Sequence, residues 1–181
     1  MDVESFAGRS AIGAQLEHNV YDALADMGFQ PDWFDRRRHS DKFCLAIRGA
    51  ASVLFRHAPD IVVAGGDHEA FIECKSASDQ HRESPNYSIE IDCHLSMMRW
   101  ARTGAPSYYV FHDFQISAVG EIEAADKTRR PAAPGRTPYF LVPKSQLEPR
   151  HLVDDDCLLT DPDFYFDCLA RGTKPTLFEA S

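Results

Sequence analysis

The chain has 181 residues, 44% hydrophobic and 26% charged, with a formal net charge of −9. That length suits one domain with a real core, and no apolar run reaches the ~20 residues of a membrane span. The acidic balance argues against a protein that holds nucleic acid by bulk positive charge, and the opening "MDVESFAGRS" is acidic where a secretion signal is basic and then apolar, so a cytoplasmic protein is expected.

In chain order, "SAIGAQLEHNVYDALADMGF" carries Ile12, Leu16, Val20, Leu24 and Met27 at spacings of one helical turn. Ser10 suits its N-cap, and Gly28 its C-terminal stop. "QPDWFDRRRHSDK" is turn-rich and charged and reads as a loop, and "FCLAIRGAASVLFRH" is open between strand and helix. "DIVVAGGDHEAFIECK" reads as a hairpin: Ile61 to Val63 out, Gly65-Gly66-Asp67 as the turn, Ala70 to Lys75 back. From about Ile89 the chain looks helical, with Ile91, Leu95, Met98 and Arg102 along one stripe and Gly104 at its end. "SYYVFHDF" is a strand by its content of Tyr, Val and Phe. "ISAVGEIEAADKTRRPAAPGRTPYFLVP" starts as a strand, breaks into a Pro/Gly/Arg loop and recovers as a strand at Tyr139 to Val142. "SQLEPRHLV" suits a turn of helix, and "FYFDCLA" in the Asp-rich tail a small helix. The order predicts an α/β fold, a small mixed sheet flanked by helices.

The five cysteines are scattered without a C-x-x-C pair, which speaks against a disulfide framework or a zinc ribbon. Charge is unevenly distributed. Arg36, Arg37, Arg38, Lys42, Arg48 and Arg56 form one basic stretch, Lys127, Arg129, Arg130, Arg136, Lys144 and Arg150 a second, and the tail after Leu152 is rich in Asp. Either basic stretch is a solvated loop or part of a phosphate-binding face.

One hairpin carries the chemistry. Glu73 and Lys75, two apart on a strand, share a face, and the hairpin brings Asp60, at the start of its first strand, beside them. Two carboxylates can hold Mg²⁺ through oxygen, and a lysine can orient or deprotonate an attacking water and stabilise negative charge on phosphorus. An ion pair at a strand end accounts for Glu73 and Lys75 but not for Asp60. Cys74 points the other way, into the core.

With Pro59-Asp60 followed by Glu73-Cys74-Lys75, the chain resembles the PD-(D/E)xK nuclease superfamily, over about Gly8 to Phe111. It is most similar to compact Holliday-junction resolvase-like and VRR-type nucleases of phage and prokaryotic type. The resemblance implies a restriction-endonuclease-like core within one domain spanning 1–181, the core at about 8–114 and residues 115–181 an extension with a basic loop and an acidic tail. It implies Asp60, Glu73, the backbone carbonyl of Cys74, and Glu17 from the first helix as metal ligands, with Lys75 as the catalytic lysine. Mg²⁺ is the implied cofactor, with Mn²⁺ as a substitute. The implied activity is Mg²⁺-dependent hydrolysis of DNA phosphodiesters, directed by DNA structure or by a partner. The other reading is a catalytically silent member of the fold that serves as a DNA- or protein-binding subunit. DNA is the expected partner, contacted by Arg36, Arg37, Arg38, Arg129 and Arg130; a homodimer and a targeting protein partner stay open. His94, Ser76 and Ser78 are polar positions near the site, and Trp33, Trp100, Tyr108 and Tyr109 divide between base stacking and core.

Overall fold

The computed structural model describes residues 6–34, 57–65, 68–77, 82–132 and 137–152. Arg36, Arg37, Arg38, Ser78, the ambiguous segment as far as Arg56 and the whole acidic tail lie outside the described residues.

Helix α1 runs Phe6–Asp26. Its stripe is buried as the spacing predicts, with Leu16 at 7%, Val20 at 0% and Leu24 at 1% exposure and Met27 packed alongside. Ser10 does not cap it. The helix continues a turn further back through "FAGR", where nothing breaks it, and Ser10 sits inside. Its other end is as expected. Gly28 takes φ +88°, its N–H donates to the Ala25 carbonyl, and the Phe29 N–H reaches back to Leu24. This double closure requires the left-handed residue that glycine supplies.

Strand β1, Gln30–Trp33, replaces the expected loop. It pairs antiparallel with β2, Ile61–Gly65, from Gln30↔Ala64 to Trp33↔Ile61. Turn-formers such as Pro31 and Asp32 argue for a loop locally, but β1 is the sheet's edge, where a missing proline N–H is tolerated. Strand β3, His68–Lys75, returns against β2 with Ile61↔Ile72 and Val63↔Ala70, so the hairpin stands. The chain then forms β4, Asn86–Glu90, where the helix was expected to begin. Tyr87 and Ile89 are buried and Ser88 and Glu90 exposed, a period-two pattern.

Helix α2, Ile91–Ala101, buries Cys93, His94, Ser96 and Met97. The predicted stripe is therefore on the wrong face, and Leu95 is 48% exposed. Strand β5, Ser107–Phe111, is buried throughout and runs parallel to β3, with Glu73↔Tyr109 and Lys75↔Phe111. Strand β6, Ile116–Ala118, pairs antiparallel with β5. Next come helix α3, Val119–Ala124, and strand β7, Thr128–Arg130, neither of them expected. Strand β8, Tyr139–Pro143, matches its prediction and leads into a single 3₁₀ turn, Lys144–Gln146.

The result is the mixed α/β architecture, with a five-stranded sheet ordered β1-β2-β3-β5-β6 and a separate three-stranded sheet ordered β4-β8-β7. On one face of the large sheet, α1 packs over Ile61, Val63, Ile72, Cys74 and Val110. On the other, Tyr109 and Phe111 meet α2, α3 and the inner side of the small sheet through Cys93, Met97, Ile122, Ile89 and Val142. Residues beyond 114 also enter the main core: Leu152 is 1% exposed, and the Arg150 carbonyl accepts from the Ile116 N–H.

A polar cluster helps to fasten the two sheets. The buried Tyr87 of β4 stacks on Phe111 at 3.7 Å between ring centroids and donates its hydroxyl to Asp113, 2.8 Å from Oδ2. Lys144 Nζ reaches the same Oδ2 at 3.1 Å and lies over the Tyr87 ring. Burial works to raise the Asp113 pKa, but the hydrogen bonds from Tyr87 and Lys144 outweigh it and leave it below its ordinary 3.8. Tyr87→Phe is expected to lower unfolding free energy by about 1–3 kcal/mol, read from urea titration. Because Asp113 ionises more readily in the folded chain, its contribution is complete above its ordinary value and is lost as pH falls through the folded one. The parent and Asp113→Asn should therefore differ fully at pH 7, with the difference shrinking as pH falls below the ordinary value of 3.8.

Candidate functional site

The site lies where β3 leaves the large sheet. Asp60 stands just before β2, where its N–H donates to the Ile72 carbonyl, the residue before Glu73 on β3. The Asp60 carbonyl accepts from the Phe34 N–H, and its Oδ2 accepts the Cys74 N–H at 2.8 Å. Three strands thus fix this aspartate. The Cys74 side chain packs into the core below α1, as side-chain alternation predicts, and Glu73 and Lys75 face α2.

Glu73 is 8% exposed. Its Oε1 accepts from Lys75 Nζ at 2.8 Å and from Cys93 Sγ, in the first turn of α2, at 3.2 Å. Its Oε2 is buried with no hydrogen-bond partner. A buried carboxylate oxygen left so is costly, and the Asp60 carboxylate is held on the next residue of the strand, at the Cys74 N–H.

Lys75 bridges the two sheets, with Nζ 3.0 Å from Oε2 of Glu90, the last residue of β4. Burial lowers its pKa, but the carboxylates of Glu73 and Glu90 outweigh that and carry it well above the ordinary lysine value. The same ammonium, against an opposing effect of burial, draws Glu90 below the ordinary glutamate range. Burial, followed by the acid of Glu73, pushes the Cys93 thiol far up, so it acts as a neutral donor. His57 enters this field from the segment before Asp60; burial and then the Lys75 charge push its imidazolium pKa down, while Asp92, Glu90 and Glu73 oppose them.

Glu17 approaches from α1. A Cβ built on Gly13 would lie 4.0 Å from Glu17 Oε1 and 3.6 Å from Ser76 Oγ, so the helix passes close over the end of β3 where it has no side chain. Among the described residues, no three His, Cys, Asp or Glu side chains converge closely enough to enclose a metal ion. The donors that fit are all oxygen, and the open Glu73 Oε2 is the atom a hard cation suits.

Other named positions fall into place. His94 is 2% exposed and packed, bonded to the Tyr109 hydroxyl at 3.2 Å and to Glu123 at 2.9 Å. Tyr108 and Tyr109 are core. Trp33 stacks on Tyr21 with 4.8 Å between rings, and Trp100 joins Phe34 and Phe71. Arg129 and Arg130 are exposed on β7. Sequence reasoning missed Glu90, Cys93 and His57. The alternation of Tyr87 and Ile89 could have placed Glu90 at a strand end, whereas nothing in the sequence ties Cys93 to Glu73.

No family model matches the chain, and no curated protein matches its sequence. Among solved structures it is similar to one described as a 1.6 Å resolution structure of Archaeoglobus fulgidus Hjc, a Holliday junction resolvase from an archaeal hyperthermophile. The identity is 18% and the TM-score 0.48, over 74% of this chain and 90% of that one.

Lys75 and Glu73 are 14% and 10% exposed at the side chain, so neither tolerates loss of the other. Lys75→Ala is expected to cost about 3 kcal/mol at pH 7 by urea titration. Glu90→Gln, at a half-exposed position, should cost about 1 kcal/mol or less.

Proposed function

We propose that the chain is a Mg²⁺-dependent nuclease that hydrolyses DNA phosphodiesters, directed by DNA structure in the manner of the junction resolvases its sequence resembles. The observation that carries this reading is the buried, unpartnered Glu73 Oε2, with the Lys75 ammonium on the same carboxylate and Asp60 held at the next residue of the strand. An ion pair alone leaves no reason for that oxygen to be buried and open.

Asp60, Glu73 and the Cys74 carbonyl would hold the ion, with Glu17 completing the set from α1. When bound, Mg²⁺ polarises a phosphate oxygen and makes a coordinated water a better nucleophile at neutral pH. The chain's own groups do the rest. Lys75 is an oriented ammonium, held by two carboxylates, that can donate to the attacking water and offset the charge gathering on phosphorus. Glu90 keeps that ammonium in place when Glu73 turns to another partner. Cys93 fixes one Glu73 oxygen so that the other presents itself. Phosphates of the flanking DNA are contacted by the exposed arginines of β7. Two such chains acting as a homodimer would cut a four-way junction symmetrically.

The test is cleavage of branched, single-stranded and duplex DNA with and without Mg²⁺. Asp60→Ala, Glu73→Ala and Lys75→Ala are each expected to lower the rate about 100-fold or more, and Glu17→Ala by less. Calorimetry provides a separate reading: Mn²⁺ should bind the parent and bind Glu73→Gln far more weakly. A parent that binds Mn²⁺ in no Glu73-dependent way and cuts none of these substrates would leave the silent binding subunit as the correct reading.

A further inference from the structure

The small sheet continues outward from the site, and its register sorts its side chains into two faces. Opposite residues of paired strands point to the same side. Ile89↔Phe140 and Arg129↔Phe140 form one row, and Tyr87↔Val142 the next. This face is buried except at its β7 edge: Tyr87, Ile89 and Val142 are core, with Phe140 packed against them, while Arg129 is exposed. The alternate rows, Glu90–Tyr139–Arg130 and Ser88–Leu141–Thr128, form the other face. There Glu90, Ser88, Thr128 and Arg130 are exposed, and Tyr139 and Leu141 partly buried.

Glu90 is also the residue that grips Lys75. The outer face therefore begins at the site and runs across two strand spacings, about 10 Å, to a guanidinium. In between it offers an aromatic ring. The negative charge at its near end is engaged by Lys75, so an arriving phosphate meets Arg130 on a chain whose net charge is otherwise −9. An aromatic ring beside a basic group on a sheet face suits one strand of nucleic acid, with a base on the ring and backbone on the cation.

We infer that the outer face of the β4-β8-β7 sheet is a track for the single DNA strand flanking the bond to be cut, with Tyr139 stacking a base and Arg130 holding a phosphate. This rests on the nuclease reading for its location and sharpens it. The register places Arg130 on this face and Arg129, its neighbour in sequence, on the opposite one, so Arg130 is the arginine of the track and Arg129 is left to phosphates outside it.

Binding of a fluorescein-labelled oligothymidine to the full chain, followed by anisotropy in EDTA so that nothing is cut, tests this. Arg130→Ala is expected to weaken binding about tenfold and to make the dependence of log K on log salt shallower by about 0.7, one phosphate's share for a single strand. Arg130→Lys should restore most of that slope. Tyr139→Ala should weaken binding about tenfold, while Tyr139→Phe keeps the stacking ring and the affinity. Arg129→Ala should cost several-fold less than Arg130→Ala. Arg130 is exposed, so its variants read binding without disturbing the core. The track is overturned if the parent does not bind the strand, if Arg129→Ala costs as much as Arg130→Ala, or if the salt slope is unmoved. A parent that cleaves DNA while the Arg130 and Tyr139 variants bind as it does refutes the track and leaves the nuclease standing. Arg130-dependent binding in a chain that cleaves nothing does the reverse.

Discussion

The position of one ammonium organises this molecule. Lys75 ends the central hairpin, yet it is held both by Glu73 from its own strand and by Glu90 from the small sheet. Burying a lysine is expensive unless opposite charge accompanies it. Two carboxylates answer that need, and the second is available only because β4 is paired to β8 and the small sheet is docked on Tyr109 and Phe111. The small sheet is thus part of the electrostatics of the site as well as a wall of the core.

The same arrangement leaves the site unbalanced in a specific way. Glu73 has one oxygen with two donors and one with none, and Asp60 is fixed by its neighbours' backbone. A fold selected for stability alone would fill that position with an apolar side chain or a second donor. Imbalance of this kind is tolerated at a site where it serves chemistry.

Much of this was legible in the sequence, for identifiable reasons. The α1 stripe, the hairpin, β5 and β8 carry strong periodicity or β-forming composition, and the hairpin's short turn makes the juxtaposition of Asp60 with Glu73 and Lys75 a local inference. The losses occur where tertiary pairing overrides local signals. β1 contains Pro31 and Asp32 and is a strand because β2 offers it an edge. β4 was absorbed into a helix because Ile89 and Ile91 fit either period. The buried face of α2 is built from Cys93, His94 and Ser96, residues that no hydrophobic stripe reveals, because their partners are polar groups on β3, β5 and α3. Glu90 was lost with β4, and with it the second half of the lysine's environment.

The pairing of β4 with β8 has a consequence in time. The β2–β3 hairpin closes over a short turn, whereas β4 must wait for a strand far along the chain, and distant closures are slow to form. During synthesis the acids and the lysine of the hairpin emerge together long before Glu90 has its sheet. The site is therefore assembled in two stages, and the chain carries the hairpin's acids and lysine in an unfinished setting until β8 arrives.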